Sequence, residues 1–139
     1  MLESTDPDNH WPKHLLEQMA RDVEYVNRLN GWYDDERTFF DELWLLASEI
    51  FEAGEAWRVA GFEDQTTAEQ VLYGRGDHGE DLLVTSDNPK PEGVGSELAD
   101  VLIRLLDTAK RHGIDLMAEY QRKMLYNLTR GYRHGGKRL

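Results

Sequence analysis

The chain has 139 residues with 16 Lys and Arg against 27 Asp and Glu, a formal net charge of −11, and it has no cysteine. That length suits one domain with its own core, and the missing cysteines exclude a disulfide framework and thiolate zinc sites. The negative charge argues against nucleic acid as a partner, and no apolar run approaches the ~18 residues a membrane span needs, so a cytoplasmic protein without membrane contact is expected.

Residues 1–9 are polar and acidic and read as a frayed tail rather than a signal peptide. Pro12 fits the first turn of a helix. From there to about Asn30, Leu15, Leu16, Met19, Val23, Val26 and Leu29 recur at steps of three and four, an amphipathic helix. Asn30-Gly31 is a stop signal. A second helix is expected from Arg37 or Thr38 to about Val59, ended by Gly61. Gly54 inside it costs roughly 1 kcal/mol relative to Ala. Either another helix approaches closely there or the helix tolerates the glycine.

Residues 61–94 change character, with five glycines and two prolines. A helical turn at 67–72 and a short strand, or a loop anchor, at 82–85 are the local expectations. Helix three is expected from about Gly95 to His112 with Ser96 as its N-cap, and helix four from about Asp115 to Thr129. The fold class is therefore all-α: a four-helix, bundle-like single domain spanning 1–139, with a long insertion between helices two and three.

The chemistry gathers on helices two and three. Glu49, Glu52 and Glu55 share one helical stripe, and Glu97 and Asp100 share another, with Arg104 one turn on. Carboxylates three residues apart on a helix lie about 5–6 Å apart at Cβ, so each stripe repels itself. Two such stripes packed face to face make an oxygen-rich place suited to a hard divalent ion, Mg²⁺ or Mn²⁺. The dense apolar residues around both stripes predict that these helices are largely buried. On helix four, Lys123, Asn127 and Arg130 share a face, which by itself reads as ordinary solvated surface.

With these residues in view, the chain resembles the all-α nucleoside triphosphate pyrophosphohydrolases, and within them the MazG-like branch related to dimeric dUTPases and dCTP pyrophosphatases. The resemblance rests on Glu49-x-x-Glu52, on Glu97-x-x-Asp100 with Leu98-Ala99 and Val101-Leu102 around it, and on Lys123-x-x-x-Asn127-x-x-Arg130. It covers roughly 15–60 and 92–138. It implies a MazG-type fold and Mg²⁺-dependent cleavage of the α–β phosphoanhydride of an NTP or dNTP. It further implies metal ligation by Glu52, Glu97 and Asp100, with Glu49 as ligand or general base and Glu55 as a supporting group. Lys123 and Arg130 would bind phosphate oxygens, and Asn127 phosphate or sugar. The base would lie between the first helix and the loop before the second, stacked on Trp32 and read by Asn27. The resemblance also implies a homodimer or dimer of dimers. Two departures stand out: the insertion is longer than in minimal members, and Arg104 stands where dCTP pyrophosphatase relatives carry an aromatic residue.

Three other readings compete. A di-iron bundle needs Glu-x-x-His pairs, and none of the five histidines follows a Glu by three. A non-catalytic nucleotide sensor with the same fold is the alternative to an enzyme. A purely structural helical protein predicts no response to metal.

Overall fold

The computed structural model describes residues 13–63 and 90–131. It contains α1 (Lys13–Leu29), α2 (Phe39–Ala60), α3 (Val94–Arg111) and α4 (Leu116–Leu128), and no strand among the described residues. The expected turn at 67–72 and strand at 82–85 lie outside the described residues.

Local chemistry accounts for most helix ends. At the start of α2, Asp41 N donates to Thr38 Oγ1 at 3.2 Å and Thr38 N donates to Asp41 Oδ2 at 2.8 Å, a reciprocal capping box. The Thr38 bonds hold the Asp41 carboxyl below its ordinary range. At the other end, Gly61 N donates to Trp57 O at 2.8 Å with φ at 63°. Gly31 turns the chain out of α1 at φ 73°, and a Cβ there would also meet Asp34 Oδ2 at 3.1 Å. Asp115 caps α4 by accepting from Ala118 N at 3.0 Å.

One cap differs from the sequence expectation. Gly93, not Ser96, is the N-cap of α3, and no side chain caps that end. The Ser96 hydroxyl instead donates back to the Pro91 carbonyl at 3.1 Å, so it ties the helix to the incoming chain.

Helix α3 is the centre of the packing. It lies against α2 over the most extensive interface and against α1 over a smaller one. Leu106, Asp107, Thr108 and Ala109 of α3 are buried, as are Glu42, Glu49 and Ala53 of α2, Asn27 of α1 and Met117 of α4. The apolar core is thin. Of the fully buried residues described, only Ala53, Leu106, Ala109 and Met117 are hydrophobic.

Within one chain, α2 and α3 are less buried than the expectation of largely buried helices. Phe40, Leu43, Trp44, Ile50, Phe51 and Trp57 are exposed along α2, and Leu98 and Leu102 along α3. The α2 residues recur at helical spacing, on a stripe other than the one that carries Glu42, Glu49 and Ala53 into the α3 seam.

Gly54 lies in this exposed stripe, and a Cβ added there meets nothing within 4 Å. Within the chain, the helix simply tolerates the glycine. Gly54→Ala should therefore stabilise the isolated chain by about 0.5–1 kcal/mol in urea unfolding. A loss of stability would mean that another helix does approach at that point.

Candidate functional site

Helices α2 and α3 run antiparallel, because pairs across the seam climb on one helix as they descend on the other. Arg111 stands opposite Glu42, Arg104 opposite Glu49, and Glu97 near Glu52. Glu42 and Glu49 are seven residues apart, as are Arg104 and Arg111, so the two acid–base rungs repeat every two helical turns, about 10 Å. The next α3 rung breaks the rule: seven residues before Arg104 stands Glu97, an acid that meets Glu49 and Glu52.

That break is the candidate metal site. Glu49, Glu52 and Glu97 each offer a carboxylate oxygen, and these oxygens all lie within 4.8 Å of one another. Glu49 is buried, Glu97 intermediate and Glu52 exposed. An octahedral ion with bonds of about 2.1 Å sets neighbouring oxygens about 3 Å apart and opposite ones about 4 Å apart, so a small contraction of the group closes the set. The donors are all hard oxygens without histidine or thiol, which fits Mg²⁺ or Mn²⁺. The triad could thus hold a metal ion.

The electrostatics agree with the geometry. Desolvation first, then the charges of Glu52 and Asp100, push the Glu97 carboxyl above its ordinary value. Desolvation and then Glu49 do the same to Asp100. Both groups hold protons more tightly than a free carboxyl, and added positive charge would relieve that strain. Asp100 lies outside the closest oxygen triad; it is coupled to Glu49 through charge. Glu55 is engaged elsewhere, accepting from Arg58 at 2.7 Å on the exposed side of α2.

The opposite end of the seam carries a second polar group that the sequence did not reveal. Asp107, 2 % exposed, accepts from Tyr33 Oη at 2.6 Å and from Arg111 Nε at 2.8 Å. Arg111 Nη2 donates onward to the Trp32 carbonyl at 2.9 Å. The Arg111 and Arg28 guanidiniums sit 3.6 and 4.3 Å from the Tyr33 ring centroid. Burial, reinforced by the Asp107 bond, drives the Tyr33 phenol far above its ordinary pKa, so it stays a donor. Burial is the largest influence on Arg111 and works against its charge, but the Asp107 bond together with the charges of Asp107, Tyr33 and Glu42 raises its pKa overall. Glu42, 1 % exposed, has neither carboxylate oxygen hydrogen-bonded. It is held by charge alone, 3.8 Å from Arg111 Nε and 3.9 Å from Arg37 Nη1.

This node pins the α1–α2 loop to α3 and shapes a cleft of about 580 Å³ beside it. Glu24 and Arg28 of α1, Tyr33, Asp35, Glu36 and Arg37 of the loop, and the end of α3 line it. Tyr33, not Trp32, faces this cleft. Trp32 is 44 % exposed, and Asn27 is buried at 4 % with its carbonyl accepting from Trp32 N at 2.9 Å. Lys123, Asn127 and Arg130 are exposed on and just beyond α4, and no hydrogen bond or ion pair among the described residues joins them to the carboxylates. The Arg130 guanidinium lies 5.6 Å from the Tyr126 ring centroid.

No protein-family model, curated protein or solved structure matches this chain. Among the described residues, no helix is long and apolar enough to cross a membrane.

Asp107→Ala should cost about 3–5 kcal/mol in urea unfolding, because it removes a buried ion pair with Arg111 and the acceptor of the Tyr33 hydroxyl together. Tyr33→Phe removes one hydrogen bond and should cost only about 1–2 kcal/mol. Equal losses would show that Asp107 is not the hub.

A second expectation concerns pH. The folded chain holds the Glu97 and Asp100 protons more tightly than the unfolded chain, whose ordinary values are 4.5 and 3.8. Their contribution to stability is thus fully present below those values and is lost as pH rises through the higher folded values. A bound divalent ion favours the charged forms and reverses the sign. The rise in melting temperature between EDTA and excess Mg²⁺ should grow from about pH 4 to pH 7. A rise that is flat across that range would count against these two groups.

Proposed function

We propose that this protein is a divalent-metal-dependent nucleoside triphosphate pyrophosphohydrolase of the MazG-like kind, converting an NTP or dNTP to the monophosphate and pyrophosphate. The observation that carries the proposal is the convergence of Glu49, Glu52 and Glu97 from two helices, with Asp100 beside them. A chain of net charge −11 can hold a triphosphate only with added cations. A Mg²⁺ ion held by these residues would supply Lewis-acid neutralisation of the phosphates and of the attacking water.

The chain's own groups then divide the work. Glu52, Glu97 and Asp100 provide oxygen ligands. Glu49, the buried member, is a further ligand or the base that orients the attacking water and takes its proton, and in the ion-free chain Arg104 Nε donates to it at 3.0 Å. Lys123 and Arg130 hold phosphate oxygens, and Asn127 donates to phosphate or sugar. In our reading, the cleft between α1 and the loop before α2 takes the base, with Tyr33 on its wall and Trp32 at its exposed edge. Helix α4 has no extensive interface with α2 among the described residues, so we assign completion of the site to a second copy of the chain. The exposed stripe of Phe40, Trp44, Phe51 and Trp57 offers that copy an apolar face. By light scattering, the active preparation should contain more than one chain.

The test is a panel of NTPs and dNTPs with Mg²⁺, followed by pyrophosphate release. At least one nucleotide should turn over, and Glu49→Gln should fold normally while losing about 10²-fold or more in rate. Nucleotide binding without pyrophosphate release would select the sensor reading. Near-normal turnover in Glu49→Gln would remove the role given to that residue.

A further inference from the structure

The carboxylate cluster already has one resident cation. Arg104 Nε donates to Glu49 Oε1 at 3.0 Å, with the two side chains 25 % and 11 % exposed. Arg104 is four residues beyond Asp100 on α3, one helical turn, and its charge acts on the Asp100 carboxyl. The guanidinium is therefore bonded to Glu49, a member of the triad, and lies within charge range of Asp100. A guanidinium has five N–H groups in a planar fork. Only the Nε–H is engaged; among the described residues no other hydrogen bond or ion pair reaches this group. Both terminal NH₂ groups remain for a further acceptor, in the geometry that suits two oxygens of one phosphate.

These facts conflict with a simple strut. A strut of this kind would spend its fork on protein acceptors, as Arg111 does with Asp107 and the Trp32 carbonyl. A divalent ion and a guanidinium that share one carboxylate also repel each other and compete for it.

From this juxtaposition we propose that Arg104 is a transferable counter-ion: it neutralises Glu49 while the cluster is empty, and once a divalent ion claims Glu49 it turns its free fork to a phosphate oxygen of the polyphosphate ligand. The proposal rests on the metal-and-polyphosphate reading of this site and adds to it a residue that resists the ion alone and favours the ion together with an anion. Divalent ion and polyphosphate therefore bind with positive coupling, and an empty site is guarded against the bare ion.

The test uses Mn²⁺, read by electron paramagnetic resonance of the free ion, and inorganic tripolyphosphate added at saturating Mn²⁺. Arg104→Met keeps the side-chain length and removes the charge and the fork. It should bind Mn²⁺ alone about tenfold more tightly than the natural chain, and tripolyphosphate about tenfold more weakly. Arg104→Lys should move both affinities in the same senses but less, because its ammonium lacks the fork. A purely structural arginine predicts weaker binding of both probes in both variants, and that result overturns the proposal. So does unchanged Mn²⁺ affinity, or failure of both variants to fold. If the natural chain binds no Mn²⁺, the metal-dependent reading fails as well. If the natural chain binds Mn²⁺ and Arg104→Met binds it no more tightly, only the role of Arg104 fails.

Discussion

Packing two acidic helix faces against each other is costly unless each buried carboxylate meets positive charge, and the α2–α3 seam satisfies this requirement unevenly. At one end, Glu42 and Asp107 share the Arg111 guanidinium, with Arg37 closing from the loop. Seven residues along, Glu49 has Arg104. Beyond that, Glu52 meets Glu97 and no arginine is supplied. A seam built for stability alone would place Lys or Arg at that position, or an apolar residue. Acids left facing acids at the end of an otherwise balanced ladder are the feature that could hold a cation.

The other end of the seam has a different task. Tyr33, Asp107, Arg111 and the Trp32 carbonyl form a continuous hydrogen-bonded chain from the α1–α2 loop to α3. Each member restricts the next: Asp107 orients both Tyr33 and Arg111, and Arg111 fixes the loop backbone. A loop held in this way can present a cleft wall of fixed shape. Glu24 adds to the same wall: it pairs with Arg28 at 2.8 Å within α1 and ties α1 to α3 through Lys110 at 3.3 Å. The Arg28 bond, followed by Lys110, keeps the Glu24 carboxyl below its ordinary range despite partial burial.

Periodicity and punctuation in the sequence were enough to place the four helices within about two residues, because apolar steps of three and four and the Gly31, Gly61 and Asp115 signals act locally. That each acidic group forms one stripe on its helix was also readable, since residues three apart share a face, whereas the facing of the two stripes was a condition the sequence could only pose. The Tyr33–Asp107–Arg111 node was not, because it joins residues 74 positions apart and no local rule links them. A clue was present all the same: Glu42 and Glu49, and Arg104 and Arg111, share the seven-residue spacing of an antiparallel seam. Ser96 misled for a physical reason. A serine near a helix start has two local acceptor and donor choices, and here the Pro91 carbonyl won.

The apolar stripe on α2 shows where sequence patterning stops. Hydrophobic residues on two sides of a helix state that both sides leave water; they do not state whether the cover is the same chain or another. Here the seam side of α2 is narrow and rich in charge, carrying Glu42, Glu49 and Ala53, while Phe40, Leu43, Trp44, Ile50, Phe51 and Trp57 face outward. A helix that spends its buried face on carboxylates has little hydrophobic stabilisation left there, and the larger apolar residues sit where only a further surface can cover them. The proposed partner copy therefore has two effects on one helix: it buries the stripe that α3 leaves open, and it holds α2 rigid, so that Glu49 and Glu52 keep their distance from Glu97 against their mutual repulsion.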